Sequence, residues 1–324
     1  QLTSLDVSAN TALTYLDCSN NQLIYLNMKN GVTDAYTYFS AQTNDLTCIE
    51  TLDPDYATAN WTYANGNIDD GVSFADICYA SNPSYTNVPD DNFEQALINL
   101  GYDDTLDDYV LTANISGVTY LNVAGNEISD LTGIEGFTAL TYLQCEQNQL
   151  TSLDVGSNTA LTILHCSSNQ LTSLDMSANT ALTYLRCDYN QLTSLDMSAN
   201  TALTYLRCDY NQLTSLDMSA NTALTELDCQ ANQLTSLDLS SNTALTYLHC
   251  VDNQLTSLDV SANTALTYLD CNNNQLTSLD VSSNTALTSL QCNSNSLTSL
   301  NVSNNTALTS LSCHDNQLTS LDVS

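Results

Sequence analysis

With 324 residues, 36 acidic side chains and only 3 Lys or Arg, the chain carries a formal net charge of −33. That excludes nucleic acid and anionic lipid as partners, because both need clustered basic side chains. Charged residues make up 12% and hydrophobic ones 43%, which is too apolar for a disordered acidic tail, while no apolar run reaches the roughly 20 residues of a membrane span.

Taken in chain order, residues 1–29 read as the end of a first array of short repeats, with Cys18 in a position that recurs later. Gln1 is not a start methionine and falls in mid-repeat, as expected if an export signal was removed or lies upstream. At Gly31 the pattern dissolves into a Tyr-, Asn- and Asp-rich stretch, and residues 30–80 read as a closing cap holding Cys48, Trp61 and Cys78. Its phrases D-L-T-C-I, A-N-W-T and I-D-D-G-V-S-F resemble the closing segment of secreted Bacteroidetes-type repeat proteins. Cys48 and Cys78 are expected to bridge, the other reading being two free cysteines in a loop. Residues 81–88, with Ser81-Asn82-Pro83-Ser84, read as a linker. Residues 89–139 read as an opening cap: Phe93, Ala96, Leu97 and Leu100 fall at helical spacing, Asp91 with Glu94 has capping-box form, and Gly101 ends the helix. Two irregular coils follow, and Ile128–Phe137 resembles internalin-type repeats.

From residue 140 to 324 one 21-residue sentence recurs, L-T-x-L-x-C-x-x-N-Q-L-T-S-L-D-V/M-S-x-N-T-A, with cysteines from Cys145 to Cys313 at a constant step. A period this short means units that stack and do not fold alone. Each holds two alternating apolar phrases, Leu161, Leu164, Cys166 and then Leu171, Leu174, Met176, with Asn169 and Asn179 at the corners. The expectation is two short parallel strands per coil, with residues 21 apart stacked one rung of about 4.8 Å from each other. The segment Leu182-Thr-Tyr-Leu-Arg-Cys-Asp-Tyr-Asn-Gln-Leu192 resembles the conserved part of leucine-rich repeats, and the whole unit resembles their nested 21-residue bacterial class called IRREKO. The resemblance implies a right-handed solenoid with little helix beyond one capping helix, and a ligand contact on the first-strand face. It implies no reaction.

The ten ladder cysteines are expected to be free and apolar in role. Stacked thiols lie in a line that neither reaches disulfide distance nor converges on a metal. Catalysis has no foothold, for His165 and His249 are four rungs apart, about 19 Å, and no phosphate loop or nucleophile motif occurs. No cofactor is implied. Calcium is the one ion that suits the acidic surface, on the second-phrase ladder of Asp154, Asp175, Asp196, Asp217, Asp238, Asp259 and Asp280 or on Asp103, Asp104, Asp107 and Asp108.

Comparing repeats within the chain shows where they vary, and the changes gather on the outward side of the first phrase and its corner. Tyr184, Arg186, Asp188, Tyr189, Tyr205, Arg207, Asp209, Tyr210, Glu226, Tyr247 and His249 combine aromatic faces with charge there. This is the expected ligand-binding patch of a non-enzymatic, secreted or surface-attached bacterial module for a protein or glycan. The other reading is duplication without function, since residues 171–191 and 192–212 are identical. A structural subunit of an extracellular fibre is the alternative function. Both chain ends interrupt a repeat, as expected of a section of a longer protein or of ends that meet neighbouring copies.

Overall fold

The computed structural model describes residues 2–79, 82 and 84–322, and divides into two compact units: residues 1–87 with 109–112, and residues 88–108 with 113–324. The expected linker fell on residues 81–88. Of these, Ser81 and Pro83 lie outside the described residues, and Tyr85–Asn87 is no linker but a strand paired antiparallel with Tyr109–Leu111.

In the second unit, three-residue strands recur every 21 residues from Tyr142–Gln144 to Ser310–Ser312 and, with Tyr120–Asn122, build a ten-stranded parallel sheet. Register places each residue beside its counterpart in the next coil, Tyr184 against Tyr205 and Arg186 against Arg207. The period makes this unavoidable, because the central Leu of each strand must point inward together with the Cys two positions on, leaving the flanking positions outside. Leu164, Cys166, Leu171, Leu174 and Met176 are all buried, as are their counterparts in neighbouring coils.

Two asparagine ladders hold the corners. At the first, Asn211 Oδ1 accepts the Leu192 N–H at 2.9 Å while its Nδ2 donates to the carbonyls of Cys187, Cys208 and Asp209 at 3.0, 3.1 and 3.2 Å. At the second, Asn200 Nδ2 donates to the carbonyls of Met176 and Asn179 at 3.1 and 2.9 Å, and its buried Oδ1 meets no protein donor. Between strand and first corner each regular coil sets a non-glycine residue in the left-handed region, Tyr189 at φ 52° and Tyr210 at φ 51°. Such a conformation costs about 1–2 kcal/mol, which the corner asparagines offset.

The expected second strand of each coil is largely absent. From Leu150 to Val281 the second phrase runs without ladder pairing; it pairs at Ser299–Asn301 with Ser320–Asp322 and, in the first unit, at Ser4–Asp6 with Tyr25–Asn27. Both pairs set Asn opposite Asp, whereas the unpaired coils stack Asp on Asp, and stacked like charges oppose close pairing. Asp280 beside Asn301 stays unpaired, so this relief is permissive and not sufficient.

An opening helix, Asp91–Leu100, starts the second unit. Its cap is Asp90, not the Asp91 of the expected capping box: Asp90 Oδ1 accepts the N–H groups of Asn92 and Phe93 at 3.0 Å, and its Oδ2 takes Ser129 and Asp130 N–H groups from a coil. Gly101 at φ 80° ends the helix.

In the first unit the repeat does not stop at Gly31. Strands Tyr25–Asn27, Cys48–Glu50 and Ser73–Ala75 continue one parallel sheet, and Tyr38–Ser40 pairs with Tyr15–Asp17. The coils lengthen and lose their sentence but keep their ladder. Trp61 fills the widened interior against Tyr36, Phe39, Tyr56 and Phe74. A helix the sequence reading lacked, Pro54–Asn60, corrects the expectation of a single capping helix. Its signals were present: Pro54 opens it and Asp53 caps the Tyr56 N–H at 2.9 Å. Cys48 and Cys78 are disulfide-linked.

The other ten cysteines are free, nine of them buried and Cys313 half-buried. Burial pushes the nine buried thiols up, to about 11 for Cys18 and about 12 for Cys292, so their reactive thiolate is scarce at neutral pH. Iodoacetamide on the native protein is therefore expected to modify Cys313 first and the other nine only on unfolding. Several thiols reacting at the rate of Cys313, counted by mass spectrometry, would contradict the buried ladder.

Candidate functional site

The sheet fixes what the sequence set on its outer face. In each strand the first and third residues point outward, so two rows run across the second unit: one through Tyr184, Tyr205, Glu226, Tyr247 and Tyr268, the other through Arg186, Arg207, Asp228, His249 and Asp270. Tyr184 and Tyr205 stack with ring centroids 4.0 Å apart at 5°, and Tyr247 with Tyr268 at 4.5 Å and 7°. Tyr189 and Tyr210 form a separate exposed stack at the corner, 4.3 Å apart.

In the second row, two arginines stand side by side and from Arg207 onward the charges alternate from coil to coil. Arg186 Nε lies 3.4 Å from Asp188, Arg207 Nε 3.3 Å from Asp209 and 3.6 Å from Asp228, and His249 Nδ1 3.2 Å from Asp228 with Nε2 3.7 Å from Asp270. Such partly exposed pairs contribute about 0–1 kcal/mol each; their consequence is orientation. Sequence reading left Asp228 and Asp270 out of the patch, although counting one coil on from Arg207 and His249 reaches them directly.

Titration follows from the same neighbours. Burial resists charging His249, but its hydrogen bond to Asp228 and the fields of Asp228, Asp270 and Asp209 outweigh this and hold it above its usual 6.5. Its contribution to stability is thus complete below pH 6.5 and is lost as pH rises through the elevated value. Asp209 is raised by burial and by Asp228, with Arg207 opposing. His165 is lowered chiefly by burial, and it sits on a different strand four coils from His249, so the two share no chemistry.

Glu226 breaks the tyrosine row. Around it lies a hollow of about 190 Å³ lined by Tyr205, Leu206, Arg207, Glu226, Asp228 and Tyr247. Other shallow grooves repeat on the second-phrase side between successive Asp and Ser residues, such as Asp196 and Asp217 or Asp238 and Asp259, without aromatic walls. The second-phrase carboxylates do not gather: each accepts the N–H two residues on, Asp175 from Ser177 at 2.9 Å, which holds Asp175 below its usual value. Among the described residues the group whose ligand oxygens come within 4.8 Å of one another is Asp91, Glu94 and Asp108, not the expected Asp103, Asp104, Asp107 and Asp108 set. Glu94 there is buried and takes the Asp107 N–H at 2.9 Å.

A 39% identical structure, the functional domain of InlJ from Listeria monocytogenes, whose description includes a cysteine ladder, superposes at TM-score 0.60 over 74% of this chain and 61% of its own. The fold is a leucine-rich repeat solenoid. The leucine-rich repeat profile (two copies) matches residues 243–284. The internalin InlF of L. monocytogenes is 22% identical at TM-score 0.52, over 72% of this chain and 88% of that one; a leucine-rich repeat protein of Leptospira interrogans is 18% identical at 0.58, over 98% and 71%. These two share the leucine-rich repeat fold. The present chain spans 61% of the InlJ structure's length. No curated protein matches the sequence. Among the described residues no helix of this leucine-rich repeat chain is long and apolar enough to cross a membrane.

Proposed function

We propose that the protein is a non-enzymatic recognition module that binds a protein partner through the strand face of its second unit. One observation carries the reading: both arginines and His249 stand in a single row beside stacked tyrosines, in a chain whose one other Lys or Arg is Lys29. Tyr and Arg are the usual anchors of protein interfaces, and leucine-rich repeat solenoids typically bind proteins. The resemblance to Bacteroidetes-type secreted repeats and to internalins supports a bacterial, extracellular or surface setting. It also supports a first array with its cap up to residue 80 and a second array from residue 140. The identical coils alone favour the fibre reading.

Replacing Tyr205 and Arg207 together with Ala tests the proposal, since both side chains lie outside the core and neither change touches the Leu or Asn ladders. Capture of an extracellular binding partner is expected to fall at least tenfold with the unfolding midpoint little changed. Capture at wild-type level would remove the patch, and filaments seen by electron microscopy of purified protein would favour the fibre.

A further inference from the structure

The tyrosine row is interrupted once between two stacks, and the interruption has a definite shape. Tyr205 ends one stack and Tyr247 begins the next, with Glu226 alone on the rung between them. Because each pair is stacked along the ladder within 7° of parallel, each pair's outermost ring turns a bare face toward the Glu226 rung. Two rungs of about 4.8 Å set those faces about 9–10 Å apart, room for one flat group stacked at about 3.5 Å on either ring but not for two, which would need about 10.5 Å. The hollow therefore admits one planar group edge-on to the sheet.

Its charge decides which planar group. Arg207 and His249 are the only cationic side chains beside the hollow, and both are held by carboxylates: Arg207 by Asp209 and Asp228, His249 by Asp228 and Asp270. Glu226 is exposed and makes no ion pair among the described residues. Four carboxylates thus face at most two cations, with the unengaged one at the mouth. Tyrosine faces attract cations by their negative quadrupole, and a guanidinium is both flat and able to form two parallel hydrogen bonds to a carboxylate.

We propose that the slot between Tyr205 and Tyr247 receives an arginine side chain of a basic protein partner, its guanidinium lying between the two rings, stacked on the face of one of them and paired with Glu226. This rests on the strand face being the binding face and assigns that face its specificity pocket. An ammonium group lacks the flat surface the slot selects, and a neutral planar group leaves Glu226 without its counter-charge.

The test uses the intact chain and three blocked tripeptides, Gly-Arg-Gly, Gly-Lys-Gly and Gly-citrulline-Gly, titrated by NMR at low salt. Citrulline keeps the planar shape and lacks the charge. Expected are shifts centred on the amides of residues 205–207, 226–228 and 247–249, with Arg binding at least tenfold more tightly than citrulline and more tightly than Lys. Glu226→Gln should remove most of the preference for Arg over citrulline, and Glu226→Tyr, which completes the tyrosine row and closes the slot, should abolish binding of all three. Equal binding of Arg and citrulline, shifts elsewhere, or undiminished binding to Glu226→Tyr would each overturn the assignment. If Glu226→Tyr leaves partner capture intact while Tyr205→Ala with Arg207→Ala destroys it, the slot fails and the face remains; if neither affects capture, the face fails as well.

Discussion

Asn211→Ala is expected to cost about 3–5 kcal/mol, and Asn200→Ala, also at a buried corner, distinctly less. The two asparagines do different work. Asn211 satisfies one N–H and three carbonyls around it, and each buried group left without a partner costs about 1–3 kcal/mol. Not all four losses add in full, because the Cys187 and Cys208 carbonyls retain a second lone pair and the coil relaxes. Asn200 donates twice, yet brings a buried Oδ1 that no protein donor meets. Alanine there removes an unsatisfied oxygen together with the two bonds, so the losses partly cancel. In a solenoid, stability sums over neighbouring coils, so hydrogen exchange is the suitable measure: Asn211→Ala should lose protection in coils 192–232 by a larger factor than Asn200→Ala. Equal losses would show that the corners are held by packing and not by these bonds.

Cys78→Ser is expected to destabilise the first unit by about 3–4 kcal/mol, the chain-entropy value for a bridge closing 30 residues. The bridge joins Cys48, in the sheet, to the segment that follows its last strand, Ser73–Ala75. Next to it, Glu50 is buried and gathers the Cys78 N–H at 3.1 Å, Asn82 Nδ2 at 2.8 Å, Tyr25 Oη at 3.2 Å and Lys29 Nζ at 3.4 Å. When the bridge is lost, this buried carboxylate loses the hold on its Cys78 and Asn82 donors and the edge of the sheet frays. Protection should fall in Cys48–Glu50 and Ser73–Ala75 and persist in strands 142–312. An unchanged melting profile under reduction would mean that the aromatic cluster around Trp61 suffices alone.

What the sequence makes legible here is set by repetition. The step of 21 predicts the register that pairs Arg186 with Arg207, because it sets like residues side by side and a one-residue slip would turn Leu185 or Leu206 outward. Where the sentence fails, legibility fails with it: Tyr38–Ser40 and Cys48–Glu50 keep the ladder with unlike residues and longer coils, so no periodicity announces them. The second phrase shows the opposite error, for T-S-L-D alternates like a strand, and the Asp charges stacked on one another from coil to coil are what set the unpaired coils apart. At the candidate site, the tyrosines and arginines stand out as variation. The partners Asp228 and Asp270 and the slot at Glu226 emerge only when consecutive coils are laid side by side.

Residues 171–191 and 192–212 being identical, excising either one leaves every junction with the same atoms it has now. Tyr184 and Arg186 would then abut Glu226 and Asp228, rebuilding the same recess on a shorter molecule. Gain or loss of a whole copy in the gene is thus structurally silent at that point, and the array can change reach while keeping its recognition feature.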